Sequence, residues 1–230
     1  MKLLTKTLAS AGLALGALAV AAPAAAQVDG RIATADISRA IIGTQALQTA
    51  YNQIGTTYQA QIETRQQRQQ ELTTLLQPFD ANGNGQLDDA ELPAVQASPN
   101  FSRIQSLEQE VASITNQVNG ARIYAVEQIL AQYPGALTDV TTQQQIVLVF
   151  QPGNVQFAAD GADITDQVTT TLNARIPSVA IIPPADWRPS RNAATIFQEI
   201  QQYLLAAQLQ QQQEAATQPQ QPTTQAPAGR

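Results

Sequence analysis

The sequence predicts an α+β fold, mostly helical, in which a small β-rich body carries a long antiparallel helical-hairpin arm of coiled-coil type. Three observations predict it. Two long stretches repeat their seam residues alternately three and four apart, which is the spacing of a heptad. A polar loop containing glycine and proline joins them. Short β-prone runs, RIATADI at 31–37 and QIVLVF at 145–150, flank the pair on either side.

The first element is a leader. Lys2 and Lys6 form a positive segment, Leu8 to Ala22 is an apolar run, and Ala24-Ala25-Ala26 offers small residues for cleavage before Gln27. Residues 1–26 therefore read as a cleaved signal peptide, since the apolar run is short for a span of about 20 residues. The expected product is exported and has no stable membrane anchor. It keeps no lysine, and ten arginines stand against 18 acids, a formal charge of -8. A negative chain does not suit nucleic acid, which needs a basic face. The whole chain lacks Cys and His. That excludes a Ser-His-Asp triad, a thiolate nucleophile and the usual zinc, haem or iron–sulfur ligand sets. Without lysine there is no Schiff base and no phosphate-loop lysine. Glutamine is abundant, 36 in all.

Residues 27–43 and 134–178 are expected to form the body and 44–133 the arm. In the arm's first helix the seam runs Leu47, Tyr51, Ile54, Tyr58, Gln61, Arg65, Arg68, Leu72, Leu75 and Phe79, apolar at both ends and polar in the middle. The second seam runs Ile104, Leu107, Val111, Ile114, Val118, Ala121 and Ala125, and Tyr133-Pro134-Gly135 reads as its stop. At 1.5 Å per residue the helices would span about 54 and about 51 Å, a matched pair. Two strands, 145–150 and 155–158, are expected around the turn Gln151-Pro152-Gly153-Asn154. A helix follows with Asp163 as its N-cap and Ile164, Val168, Leu172 and Ile176 on one face. Residues 179–213 read as the rest of a proline-rich linker (177–191) and a C-terminal helix (192–213), and 214–230 as a disordered tail. About three short strands cannot satisfy their own edges, and an uncovered IVLVF run invites aggregation. It should lie centrally or at a subunit interface.

The stretch QIVLVFQPGNVQFAADGADITDQVTTTLNARI resembles the C-terminal signature of the Skp/OmpH family, and RIATADISRAI its first strand and helix start. The resemblance covers roughly residues 28–178. It implies a periplasmic, ATP-independent holdase chaperone, a homotrimer whose three arms project from a β-rich trimerisation body and enclose unfolded outer-membrane proteins. Two departures stand out. Well-known members have basic, lysine-rich arms, whereas this arm has only Arg65, Arg68, Arg103 and Arg122. The extension from Val179 has no counterpart in the family pattern.

The hairpin connection, DANGNGQLDDAE at 80–91, fits the EF-hand loop pattern over its full length. Asp80, Asn82 and Asn84 occupy positions one, three and five. Gly85 takes the sharp turn at six, Gln86 offers its carbonyl at seven and Leu87 packs inward at eight. Asp88 at nine could bind through water, and Glu91 at twelve could bind with both oxygens. Oxygen donors at this spacing suit Ca²⁺. With three acidic ligands, Pro93 near the start of the exiting helix and no partner loop, the expected affinity is weak, about 10⁻⁴ to 10⁻³ M. The competing reading is an ordinary turn, which needs Asn and Gly but not Leu at eight and Glu at twelve.

Asp160, Asp163 and Asp166 could support carboxylate hydrolysis, but acids at a helix N-terminus explain them more simply. Trp187 is expected to anchor the linker. Two functions therefore compete: the chaperone, with no catalytic residue, and a calcium-stabilised structural or adaptor protein of the cell envelope.

Overall fold

The computed structural model describes residues 30–159 and 161–217. The expected signal peptide with Gln27, Asp160, and the tail from 218 onward lie outside the described residues. Strand β1 (Arg31–Thr34) is shorter than the expected 31–37 because Asp36 already caps helix α1 (Ile37–Ile42). Its side chain accepts from the Arg39 amide. Thr44 caps α2 (Gln45–Thr57) in the same way, accepting from Leu47. Tyr58 interrupts the helical run, with φ -103° and ψ 16°, before α3 (Gln59–Leu76). Amide bonds from Tyr58 to Ile54 and from Ile62 to Tyr58 carry the axis across the break. A 3₁₀ turn at Gln77–Phe79 ends the outward leg, with Pro78 in its first turn.

The return leg is the 44-residue helix α5 (Phe101–Gln144), about 66 Å long at 1.5 Å per residue. It runs through Pro134-Gly135, so the expected stop there is corrected, and residues 134–144 are helical. The reason is burial. Ile129, Tyr133, Ala136 and Val140 continue one buried face past the proline. Beyond the proline Ala136 and Val140 are buried and Leu137 packs against the same core, and this burial offsets the cost of an interior proline, about 3 kcal/mol. The helix stops at Gln145, in the left-handed conformation with φ 56°.

Strand β2 (Ile146–Phe150) pairs in parallel with β1, Ile32 opposite Leu148 and Thr34 opposite Phe150. A parallel pair needs a long crossover, and here the crossover is the entire arm. The second strand expected at 155–158 does not form. After a 3₁₀ turn at Pro152–Asn154, residues 155–159 are irregular and find no partner. The free side of β1 takes an isolated bridge to Asp163 instead. Among the described residues the sheet thus has two strands, not three, and helices complete the body.

Helix α6 (Thr165–Arg175) starts two residues after Asp163. Asp163 therefore sits just outside the cap position, accepting from the Thr165 amide at 2.9 Å. Helix α7 (Arg191–Thr217) runs past the expected limit at 213 and includes the first residues assigned to a disordered tail.

Three apolar clusters line up from base to tip. The body cluster joins Ile41, Val126, Ile129, Ile164, Val168, Leu172 and Ile200. The lower arm holds Ile54, Tyr58, Val118 and Ala121. The tip holds Leu72, Val95, Ile104 and Leu107, flanked by Phe79, Leu87 and Phe101. Between the last two clusters lies the polar middle of the seam, where Gln61, Arg65 and Arg68 are half-buried.

Candidate functional site

Three regions carry chemistry: the tip loop, the polar middle of the arm and the sheet face of the body.

At the tip the chain folds around its own carboxylates. Asp80 accepts from the amides of Asn84 (3.1 Å) and Gly85 (2.7 Å). Asn82 accepts from Asn84, and Asn84 from Gln86. Gly83 and Gly85 have φ of 72° and 76°, a region open to glycine at no steric cost. Asp88 accepts from Ala90 and Glu91, and Glu91 stands at the N-cap of the short helix α4 (Leu92–Gln96), with Pro93 in its first turn. Glu91 is 7% exposed. One of its oxygens accepts from Ala81 at 2.7 Å and the other from Asp88 at 3.1 Å. The six sequence-predicted ligands thus lie on one continuous loop, tied together by Asp80, Asp88 and Glu91. Gln86 and Asp88 have exposed side chains. Among the described residues no three acidic side chains are grouped as a metal site.

Between the arm's polar middle and its tip, two arginines bridge the helices. Arg68 Nε lies 3.0 Å from Glu110 Oε2, as an ion pair not aligned for a hydrogen bond. The contacts with Glu110, ahead of burial and of Glu71, raise the guanidinium above its ordinary pKa. Arg103 grips Glu71 with two nitrogens at 2.8 Å. The first pair gives Arg68 its place in the seam. Single-helix periodicity marked Arg68, but not its partners, because cross-helix register is not written in one strand of the seam.

In the body, one face is open. Ile32, Val147, Leu148 and Phe150 are 42–55% exposed, and Phe157 is 84% exposed. Ile32, Phe150, Val155, Phe157 and Ala162 help line a trough of about 620 Å³. The β-branched run at 146–150 signalled this face in the sequence. Phe157 carried no such signal, since it was expected inside a strand.

Asp163 is bound by Arg39 at 3.0 Å and by Thr165. Burial pushes its carboxyl up, but the bonds from Thr165 and Arg39 outweigh this and hold it below its ordinary value. With Asp166 in the first turn of α6, these acids occupy helix-start positions. Trp187 packs edge-on to Tyr124, ring centroids 5.3 Å apart, and donates to Glu127 at 2.7 Å. The same carboxylate accepts from the Ser190 amide at 3.1 Å. Gln128 adds a paired bond to the Ala180 backbone. The segment before α7 is strapped to α5 by these contacts, and the sequence had no means of naming Glu127 as the anchor.

Among the described residues no helix is long and apolar enough to cross a membrane. No curated protein matches the chain. The crystal structure of an OmpH-like protein of Caulobacter crescentus CB15, named as a candidate outer membrane chaperone, is 16% identical. The match covers 80% of this chain and 100% of that one, with a TM-score of 0.44. The sequence model of the OmpH-like outer membrane proteins matches residues 31–172, from β1 to the last buried turn of α6. The chain, read from its paired strands through its arm to α6, belongs to the OmpH-like family.

Proposed function

We propose that the protein is a periplasmic, ATP-independent holdase chaperone that acts as a homotrimer on unfolded outer-membrane proteins. The observation that carries this reading is the open apolar face at the base of the arm: Ile32, Val147, Leu148, Phe150 and Phe157. Family membership supports it. An exposed apolar face of this kind marks an interaction surface, and copies related by threefold symmetry would cover one another's faces. The arms would then project together and enclose a client, with affinity summed over many weak contacts. No catalytic group and no nucleotide enter this mechanism.

The arm's charge argues for containment over electrostatic capture. Two of its four arginines are already paired across the arm, Arg68 with Glu110 and Arg103 with Glu71. Its exposed positions include Gln48, Gln53, Gln66, Gln67, Gln69 and Gln70.

Dilution of a urea-unfolded outer-membrane β-barrel protein, followed by light scattering, tests the reading. A stoichiometric excess of trimer should suppress aggregation. Unchanged aggregation would sink the chaperone reading and leave the structural or adaptor role. Phe157→Asp, which places a charge on the open face, should shift the light-scattering mass from trimer to monomer. A monomeric wild type would refute the assembly.

A further inference from the structure

The holdase reading uses the body face and the arm's inner surface, and leaves the tip loop unexplained. We propose that the loop 80–91 binds one Ca²⁺ ion, which clamps the far ends of the arm's two helical legs together. This goes beyond the chaperone reading and does not rest on it.

Two independent features converge on the loop. The first is the order of oxygen donors. Asp80, Asn82, Asn84, the Gln86 carbonyl, Asp88 and Glu91 stand at positions one, three, five, seven, nine and twelve, with glycine at six. A turn made only for connection has no need of that order. The second is the burial of Glu91. Its side chain closes the loop, is 7% exposed and meets only backbone amides. No cationic side chain pairs with it, nor with Asp80 or Asp88, since the ion pairs near the tip are those of Arg68 and Arg103. Three amide hydrogen bonds satisfy the carboxylate, but no side chain neutralises its charge, and a hard divalent cation would do so.

The ligand chemistry selects the ion. All donors are oxygens and three are neutral amides or a carbonyl, which suits the six to eight ligands of Ca²⁺ better than the strict octahedron of Mg²⁺. In the present geometry the carboxylates face amide hydrogens, so binding requires Glu91 and Asp88 to turn their oxygens toward the loop centre. The consequence is mechanical. Leu87 and Val95, on either side of Glu91, belong to the tip cluster with Leu72, Ile104 and Leu107. Fixing Glu91 would therefore fix α4 against both legs.

The test is a calorimetric titration of the mature chain with CaCl₂, and separately with MgCl₂, alongside hydrogen exchange of residues 80–96. The expected result is one ion per chain with a dissociation constant of about 10⁻⁴ to 10⁻³ M, weaker binding of Mg²⁺, and slowed exchange in the loop and α4. Asp80→Ala should weaken binding at least about tenfold, since it removes a charged ligand. If that variant does not fold, Asn84→Ala, at an exposed position, serves in its place. No heat up to about 10 mM CaCl₂, where such a site would be mostly filled, would overturn the proposal. So would binding that is equal in wild type and variant, which would put the ion elsewhere. Holdase activity measured in EDTA is a separate readout, so failure of either proposal leaves the other standing.

Discussion

Glu127→Ala is expected to release the strap that holds α7 against the body. The carboxylate accepts from the Trp187 indole at 2.7 Å and from the Ser190 amide at 3.1 Å. A hydrogen bond to a charged acceptor contributes about 1.5–3 kcal/mol. Here Glu127 and Trp187 are half-buried and Ser190 is exposed, so the lower end applies and water replaces part of the loss. A total of about 2–3 kcal/mol follows, which makes local opening roughly 30- to 150-fold more frequent. The chain's single tryptophan is Trp187, so its fluorescence reads the event directly. Wild type should emit as a half-buried indole, and the variant should shift to the red while far-UV dichroism stays near native. Hydrogen exchange should quicken across residues 181–197 and not in the lower arm. The same contact titrates. Burial pushes the Glu127 carboxyl up, but the bonds from Ser190 and Trp187 outweigh it and hold it below its ordinary value. Its contribution is complete above the unfolded carboxyl's pKa of about 4.3 and is lost as pH falls through the lower folded value. The red shift should therefore appear only below about pH 4. An exposed-type emission in wild type, or an identical spectrum and exchange in Glu127→Ala, would refute the strap.

Three other outcomes are expected. Pro134→Ala should stabilise the protein by about 1–3 kcal/mol in denaturant unfolding, because it restores the amide bond to the Leu130 carbonyl and removes an interior proline. Ile129→Ala and Leu107→Ala each empty a fully buried position and should each cost about 2–5 kcal/mol. The first should lower the global midpoint, and the second should mainly accelerate exchange at the tip, since the clusters are separate. A double-mutant cycle on Glu71 and Arg103, which are 37% and 44% exposed, should give a coupling of about 0.2–1 kcal/mol that fades in high salt.

The resemblance that pointed to the OmpH-like family was legible because its carriers are local: a β-branched run, a turn and a helix start within some thirty residues. The order of oxygen-bearing side chains in the loop 80–91 was equally legible, since it is one-dimensional. The arm's polar seam showed in single-helix periodicity, while its partners Glu71 and Glu110 did not, because they are chosen by how two helices meet. Val155 to Ala158 had the composition of a strand, yet a strand is completed by a neighbour, and within one chain β1 turns to Asp163 instead.

What the sequence determined by itself was encoded in short range: the two seams, the mostly helical class and the order of oxygen-bearing side chains at the tip. Tertiary structure alone decided where elements end. Pro134-Gly135 reads as a stop in any local account, and α5 passes through it because Tyr133, Ala136 and Val140 are buried in the body. It also decided that Trp187 and Glu127, 60 residues apart, should meet. Propensities act over a few residues and a few kcal/mol, whereas burial sums over contacts between distant segments, and where the two conflict in this chain burial prevails.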